Sequence, residues 1–321
     1  MGVLLAALAG SASSSAQQVA GQFPAHWNQG STDCEHHAPP PLEVEAYNSS
    51  TYILRESLCQ TYEGNFLYLL IGTKRALLID AGDVEDPAQM PLARTVEGIL
   101  ARTAPGLPLL VLHTHGHFDH RAGDGQIAGL GNVEVVPSDL ASITRYFGWK
   151  IWPDSQGQID LGGRIVDVLP TPGHHEAHLV FYDRQTQLLF SGDMLLPGRL
   201  LIADTAADLA SARRLASFGQ SHPITYALGG HIELDRAGTT FLGVNYHPDE
   251  RPLQLTAKDV ADLPSAIADF NGIYSRHGDY LMINQNRVLT LYAACALLAL
   301  ALIGWGIGRW WRRRKLNKSR G

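Results

Sequence analysis

Nine residues, "LHTHGHFDH" at 112–120, carry four histidines and an aspartate, and the apolar run "LLVL" leads straight into them. The arrangement recurs along the chain. Asp80, His115, His174, Asp193 and His231 each lie one to four residues beyond an apolar, strand-like run. A sheet, or a pair of sheets, can present all five at one rim, on loops held by rigid strands behind them. Histidines scattered through a core would not obey that rule. The fold must therefore be one in which several strands end together.

The rest of the pattern agrees. From Thr51 the chain alternates runs such as "TYILRESL", "FLYLLIG", "RALLIDAG", "RIVDVLPTPG", "HLVFYD" and "QLLFSGD" with glycine turns, as strands require. Helical patches fit Pro87–Thr103, Leu140–Phe147 and Ala206–Phe218. The hairpin-like "LVFYDRQTQLLF" sets strands side by side, so strand pairs and helices are mixed. That predicts an α/β or α+β layered domain rather than a plain βαβ repeat. Residues 17–50, with "APPPL" at 38–42, read as an extended N-terminal segment, and 51–255 as the folded domain. Residues 256–286 open on "TAKD", a helix-start pattern, and read as a helical connector.

Histidine is the commonest metal-ligating side chain, and carboxylates complete such sites. In "HGHFDH" two histidines flank one small residue and can reach one ion from a tight turn, for which Gly116 permits an unusual backbone. Asp119 and His120 then face a second ion. A lone histidine-rich loop would bind weakly, and the further ligands stand downstream: His174 in "TPGHHEAH", Asp193 in "FSGD" and His231 in "LGGHI". The ordered series HxHxDH, TPGH, SGD and GGH resembles the metallo-β-lactamase superfamily over about residues 52–235, and the run from "LRESLCQTYEGNFLYLLIG" through "LGGHIE" is similar to its secreted members.

The resemblance implies a four-layer αββα sandwich with its metals at one edge of the facing sheets. It implies His115, His117 and His174 on one ion and Asp119, His120 and His231 on the other. Asp193 resembles the bridging carboxylate of the glyoxalase II and lactonase branches, and Asp80 the buried carboxylate that steadies the histidine loop. Two zinc ions are the implied cofactors, with iron or manganese as alternatives. Two cations sharing a water lower its pKa and polarise a carbonyl; Asp119 would orient the resulting hydroxide as well as bind metal. No GxSxG nucleophile motif is present.

His113 reads as a packed or supporting group, because only one face of a strand end meets the metals. Arg121 and Arg199 could each hold a substrate carboxylate or make a surface salt bridge, and His175 could line the pocket.

The ends speak to location. Val3–Ala9 followed by small residues to Ala16 predicts a secretory signal over 1–16, with an Ala/Ser leader as the alternative because no Lys or Arg precedes the apolar stretch. Val288–Gly308 is uncharged and of membrane-spanning length, Arg287 precedes it, and the tail 309–321 holds seven basic residues and no acid. This predicts one transmembrane helix over 287–308, a cytoplasmic tail, and a catalytic domain that is periplasmic or extracellular. Of the formal net charge of −6, the tail hides a domain charge of −13; such a field repels nucleic acid. Cys34 and Cys59 can pair if the domain lies outside the cytosol and stay free if it does not.

The resulting expectation is a membrane-anchored binuclear metallohydrolase that cleaves a small ester, lactone, thioester or amide. Aspartate at 193 argues against a true β-lactamase, and an outer location against a cytosolic glutathione thioester. The alternatives are a mononuclear iron enzyme that oxidises persulfides, a phosphodiesterase, and a non-catalytic metal-binding membrane module.

Overall fold

A computed structural model describes residues 18–241 and 243–318; the expected signal over 1–16 lies outside them. The strands are β1 (Leu42–Asn48), β2 (Thr51–Glu56), β3 (Phe66–Ile71), β4 (Ala76–Ile79), β5 (Leu109–Leu112), β6 (Val133–Val135), β7 (Gly157–Asp160), β8 (Ile165–Pro170), β9 (Leu179–Asp183) and β10 (Leu188–Gly192). They continue with β11 (Arg199–Leu201), β12 (Tyr226–Gly229), β13 (Gln254–Leu255), β14 (Tyr274–His277) and β15 (Tyr280–Ile283). The helices are α1 (Leu92–Thr103), α2 (Asp124–Ile127), α3 (Leu140–Phe147), α4 (Thr205–Ser221), α5 (Ala257–Ala268) and α6 (Gln285–Lys318).

One sheet runs β1 to β6 in sequence order, a second runs β13-β12-β10-β9-β8-β7, and a small third sheet runs β11-β15-β14. Alternation along the strands builds the layers. In β3, Phe66, Tyr68 and Leu70 enter the core between the large sheets, where they meet Val166, Val168, Phe181 and Phe190 of the second. Leu67 and Leu69 face the other way, against Leu92, Val96 and Ile99 of α1. On the second sheet Val180, Tyr182 and Leu189 face Leu215 and Phe218 of α4 and Val260 and Leu263 of α5. The result is the expected αββα sandwich. Because both faces are covered, β3, β4, β9 and β10 are buried at every position, which is why they read as continuous apolar runs.

The sequence placed α3 at its observed bounds and the start of α1 five residues too early; Pro91 stands just before the first turn. Thr256 and Asp259 close the capping box that "TAKD" announced. Two segments hold more structure than their patterns revealed. Leu42–Asn48, inside the stretch read as extended, is edge strand β1, paired antiparallel with β2. In the stretch read as connector, α5 packs on the second sheet and β15 pairs in parallel with β11.

Arg164, at the start of β8, ties the two large sheets at one end. It reaches Asp183 by two bonds of 3.0 and 2.7 Å, Thr51 Oγ1 at 2.7 Å, and the carbonyls of Ser50 and Ile71 at 2.6 and 3.3 Å. The opposite end, where β4, β5, β8, β10 and β12 all terminate, carries the histidines and aspartates. Cys34 and Cys59 form a disulfide, with Cα atoms 5.4 Å apart.

Residues Gln285–Trp311 contain an eighteen-residue window of mean hydropathy 2.2, none of it buried against the domain. Leu289, Tyr292, Leu297 and Trp305 are all exposed. By length and composition this helix can cross a membrane. An all-round apolar helix needs an apolar surrounding, and the domain supplies none here.

Candidate metal centre

The loop after β5 and the single 3-10 turn Phe118–His120 bring four ligand-type side chains to the rim of the first sheet. The exits of β8, β10 and β12 bring His174, Asp193 and His231 from the second. Two clusters result: His115, His117 and His174 in one, and Asp119, His120, Asp193 and His231 in the other. The seven residues singled out from the sequence lie in these two clusters, and Asp193, in the second, also faces His174 of the first.

In the first cluster, His115 Nε2 and His117 Nδ1 are 2.8 Å apart, His174 Nε2 lies 3.0 Å from His117 Nδ1, and 3.2 Å separates His174 Nε2 from His115 Nε2. Ring nitrogens so mutually close need something between them. Tetrahedral zinc with bonds of about 2.0–2.1 Å sets its ligand atoms about 3.3 Å apart, close to this triangle. In the second cluster, Asp119 Oδ2 lies 3.1 Å from His120 Nε2 and 3.4 Å from His231 Nε2. Asp193 turns Oδ1 to His120 and His231, at 3.5 Å each, and Oδ2 to His174 at 3.7 Å. Both His120 Nε2 and Asp193 Oδ1 are buried without a hydrogen-bond partner. Buried polar atoms of that kind call for an explanation, and a cation between them provides one. The donor set fits two divalent metals.

The outward-facing nitrogens fix which tautomer is presented. His174 Nδ1–H donates to the Leu201 carbonyl at 2.9 Å, His231 Nδ1–H to the Glu63 carbonyl at 3.1 Å, and His120 Nδ1–H to Asp80 Oδ2 at 3.0 Å. Each bond leaves an Nε2 lone pair aimed into the site. Asp80 also accepts the Thr114 backbone N–H at 2.7 Å and the Thr114 hydroxyl at 2.9 Å, so one carboxylate holds the start of the histidine loop. It does so from a left-handed backbone, φ 65°, a conformation aspartate tolerates better than most residues.

Charge in the cluster is balanced within it. Burial works against protonation of His120, but Asp80, Asp193 and Asp119 outweigh it and push its pKa well above the ordinary imidazole value. Burial likewise opposes protonation of His231, and Asp193 with Asp119 and Glu63 still push it up to about 10. Asp119 and Asp193, despite burial, are held well below the carboxylate range by His120 and His231. A metal ion would take over the positive charge that protons supply to these carboxylates. His115 goes the other way: burial first, then His120 and His174, push its pKa down, leaving it neutral and ready to ligate.

The other singled-out residues are placed as follows. His113 is buried behind the loop, bonded to Asp124 at 2.8 Å, and takes no part in either cluster. Arg121 donates to the Gly116 carbonyl at 3.1 Å. Arg199 makes a two-pronged pair with Glu233 and also offers its backbone N–H to the same carboxylate. His175 accepts the Ala177 N–H and stands beside His117, with ring centroids 5.2 Å apart. Gly116 does not adopt a positive φ; the turn needs its missing side chain instead, since a Cβ there would lie 3.3 Å from His175 and Ser138.

Three supporting groups have roles that the sequence did not assign. His178 is buried, stacks on His115 at 5.2 Å and bonds Thr171 Oγ1. Asn65 donates to the Asp119 carbonyl at 2.7 Å. Asp208 of α4 lies under the TPGH turn, where the His174 backbone N–H reaches it; burial and Asp204 still push its pKa up to about 8. Asn65 and Asp208 lie outside the motifs, and His178, although inside "TPGHHEAH", stacks on His115, which is distant in sequence.

The sequence profile described as "Metallo-beta-lactamase superfamily" matches residues 63–268, which contain every residue of both clusters. The chain belongs to the metallo-beta-lactamase superfamily. Among its relatives, a hydroxyacylglutathione hydrolase of Dechloromonas aromatica is 29% identical over 220 residues, 67% of this chain and 74% of that protein. The acyl-coenzyme A thioesterase MBLAC2 of Gallus gallus is 27% identical over 236 residues, 62% of this chain and 83% of that one. A solved metallo-beta-lactamase from Pontibacter korlensis shares the fold at TM-score 0.50 and 21% identity, over 71% of this chain and all of that one. The chain is a metal-dependent hydrolase of this superfamily, and its hydroxyacylglutathione hydrolase and thioesterase relatives fit the glyoxalase II-like branch.

Proposed function

We propose that the protein is a membrane-anchored hydrolase that uses two zinc ions to cleave an acyl ester or thioester outside the cytoplasm. The observation that carries the two-ion reading is Asp193, whose two oxygens face the two clusters separately. His115, His117 and His174 would hold one ion, Asp119, His120 and His231 the other, and Asp193 would join them. When bound, such a pair of ions lowers the pKa of water and polarises a carbonyl.

The chain supplies the remainder. Asp119 is placed to accept a hydrogen bond from the attacking water and orient it, with its own position set by Asn65. His174, His120 and His231 are locked in rotation by their outer hydrogen bonds, so no reorganisation is needed as charge develops. The attack joins the water oxygen to the acyl carbon, the bond to the leaving oxygen or sulfur breaks, and that atom takes up a proton. The Cys34–Cys59 pair favours an oxidising compartment. The apolar α6 followed by its basic tail favours a single span with the tail inside.

Full-length protein stripped of metal should recover ester or thioester hydrolysis as zinc is added, with an endpoint at two equivalents, and Asp119→Asn should fold but stay inactive. A two-zinc protein inert across a panel of esters, thioesters, lactones and amides would sink the proposal. So would full occupancy by a single iron.

A further inference from the structure

The metal centre and the membrane helix are adjoining parts of the structure. His174 Nδ1 bonds the Leu201 carbonyl of β11; β11 pairs with β15 through Leu201 and Ile283; and Asn284, next in the chain, accepts the Arg287 N–H and so starts α6. A pocket of about 170 Å³ opens between the two, with His117 and His174 on one side, Ala203 at its lip, and Asn284, Gln285 and Asn286 on the other. Asn286 is about 3 Å along the helix from Val288, where the uncharged run begins. The headgroup zone of a bilayer is about 5–7 Å deep on each side. The mouth of the site therefore lies at headgroup depth.

The surface beside it is made for that depth. Ile273 and Tyr274, at the start of the β14–β15 hairpin, are exposed, and the Ile273 carbonyl takes the Asn284 N–H. Arg287 donates to the Gly272 carbonyl, which holds the hairpin to the helix. An exposed Ile–Tyr pair beside an arginine at a helix entrance is interfacial chemistry. Phe118, next to His117 in the metal loop, is also exposed.

Size decides what such a site takes. Pockets that enclose a small molecule hold about 300 Å³ or more. This one has room for an acyl carbonyl and a few neighbouring atoms, so the remainder of any larger substrate stays outside, against headgroups and chains. Resting on the hydrolase and anchor readings above, we infer that the substrate is an amphiphile of the adjoining leaflet: an ester or thioester whose hydrocarbon tail remains in the bilayer while its acyl bond reaches His117 and His174. Water adds to the acyl carbon, the C–O or C–S bond breaks, the leaving oxygen or sulfur takes one of the water's protons to become the alcohol or thiol, and the carboxylate is released with the other proton passing to solvent.

The test uses the full chain, zinc-loaded, in phosphatidylcholine vesicles, with 4-nitrophenyl palmitate in the bilayer and 4-nitrophenyl acetate in solution. Diluting the palmitate about tenfold with further phosphatidylcholine, at constant bulk concentration, is expected to lower its rate by about that factor, because its working concentration is set within the leaflet; the acetate rate should not move. Independently of activity, a nitrobenzoxadiazole dye on Ala203→Cys, in a Cys295→Ser background, should be quenched by lipids brominated near the headgroup. The same dye on Glu97→Cys, in the outer helix layer of the opposite sheet, should not. A palmitate rate that ignores surface dilution overturns the inference, and so does a dye at 203 that matches the one at 97. Cleavage of neither ester overturns the hydrolase reading, and this inference with it; release of the chain by alkaline carbonate overturns the anchor.

Discussion

Replacing Asp80 with asparagine changes the role of one atom and almost nothing of its size. In the native protein Asp80 Oδ1 takes the Thr114 N–H, and Oδ2 takes the Thr114 hydroxyl and His120 Nδ1–H. An asparagine placed with its oxygen on the Thr114 N–H sets an NH2 group where Oδ2 was. The Thr114 hydroxyl can rotate and accept; the imidazole cannot donate to a donor. His120 must then carry its proton on Nε2, the nitrogen that faces Asp119 and Asp193. Asparagine also tolerates the φ of 65° at this position, so the backbone should hold. The expected stability loss is about 1–2 kcal/mol, one buried bond replaced by a poor contact. The metal cost is larger: supporting partners of this kind are worth about 10–100-fold in affinity, or about 1.4–2.7 kcal/mol. It should fall on one ion, since His115, His117 and His174 do not contact Asp80. Competition with a chromogenic chelator would show two release steps drawn apart, the weaker shifted by that factor and the tighter unmoved. An Asp80→Asn protein that keeps both ions at native affinity would refute the tautomer argument. Equal weakening of both would show instead that Asp80 acts through the whole loop.

Two further outcomes follow from buried carboxylates. Burial pushes the Glu56 pKa up to about 8, against the pull of the Asp83 and Val84 backbone N–H groups, from an ordinary 4.5. The folded state thus holds one more proton than the unfolded chain between those values, so this group's contribution to stability is full below pH 4.5 and declines until pH 8; urea titrations across that range should show the decline, and Glu56→Gln, which imitates the neutral acid, should flatten it. At Gly173, φ is 154° and a Cβ would lie 2.1 Å from Asp208 Oδ1. Gly173→Ala should therefore displace the TPGH turn, destabilise by about 2–3 kcal/mol and lower the affinity of the ion that His174 would hold, measured by the same chelator competition; native affinity and stability together would show that the turn relaxes freely.

The site was legible because its residues are chemically rare and each follows a strand, so order along the chain stood in for proximity. The layers were legible from strands buried on both faces. What escaped was set by contacts distant in sequence. Strand β1, "LEVEAYN", is buried only at its two outer apolar positions, and reads as polar until its pairing with β2 is known. Strand β15 gains its place from β11, about eighty residues earlier. Arg199, read as either a substrate contact or a salt bridge, makes the salt bridge, and its partner Glu233 could not be named because it lies thirty-four positions away. His178 and Asp208 support the clusters through contacts with His115 and the His174 backbone, which no spacing in the sequence announces.

Arg164 has a consequence that reaches the rim from the far end. Each cluster draws side chains from both large sheets: His115 and His117 from one with His174 from the other, and Asp119 and His120 with Asp193 and His231. The guanidinium pins the same two sheets some six residues of β8 away, about 20 Å. The sandwich is then clamped at one end by a buried arginine and along its length by the shared core, and a bound metal would clasp the other end. Metal removal would then loosen the rim first, while the arginine and the core keep the two sheets aligned for the next ion.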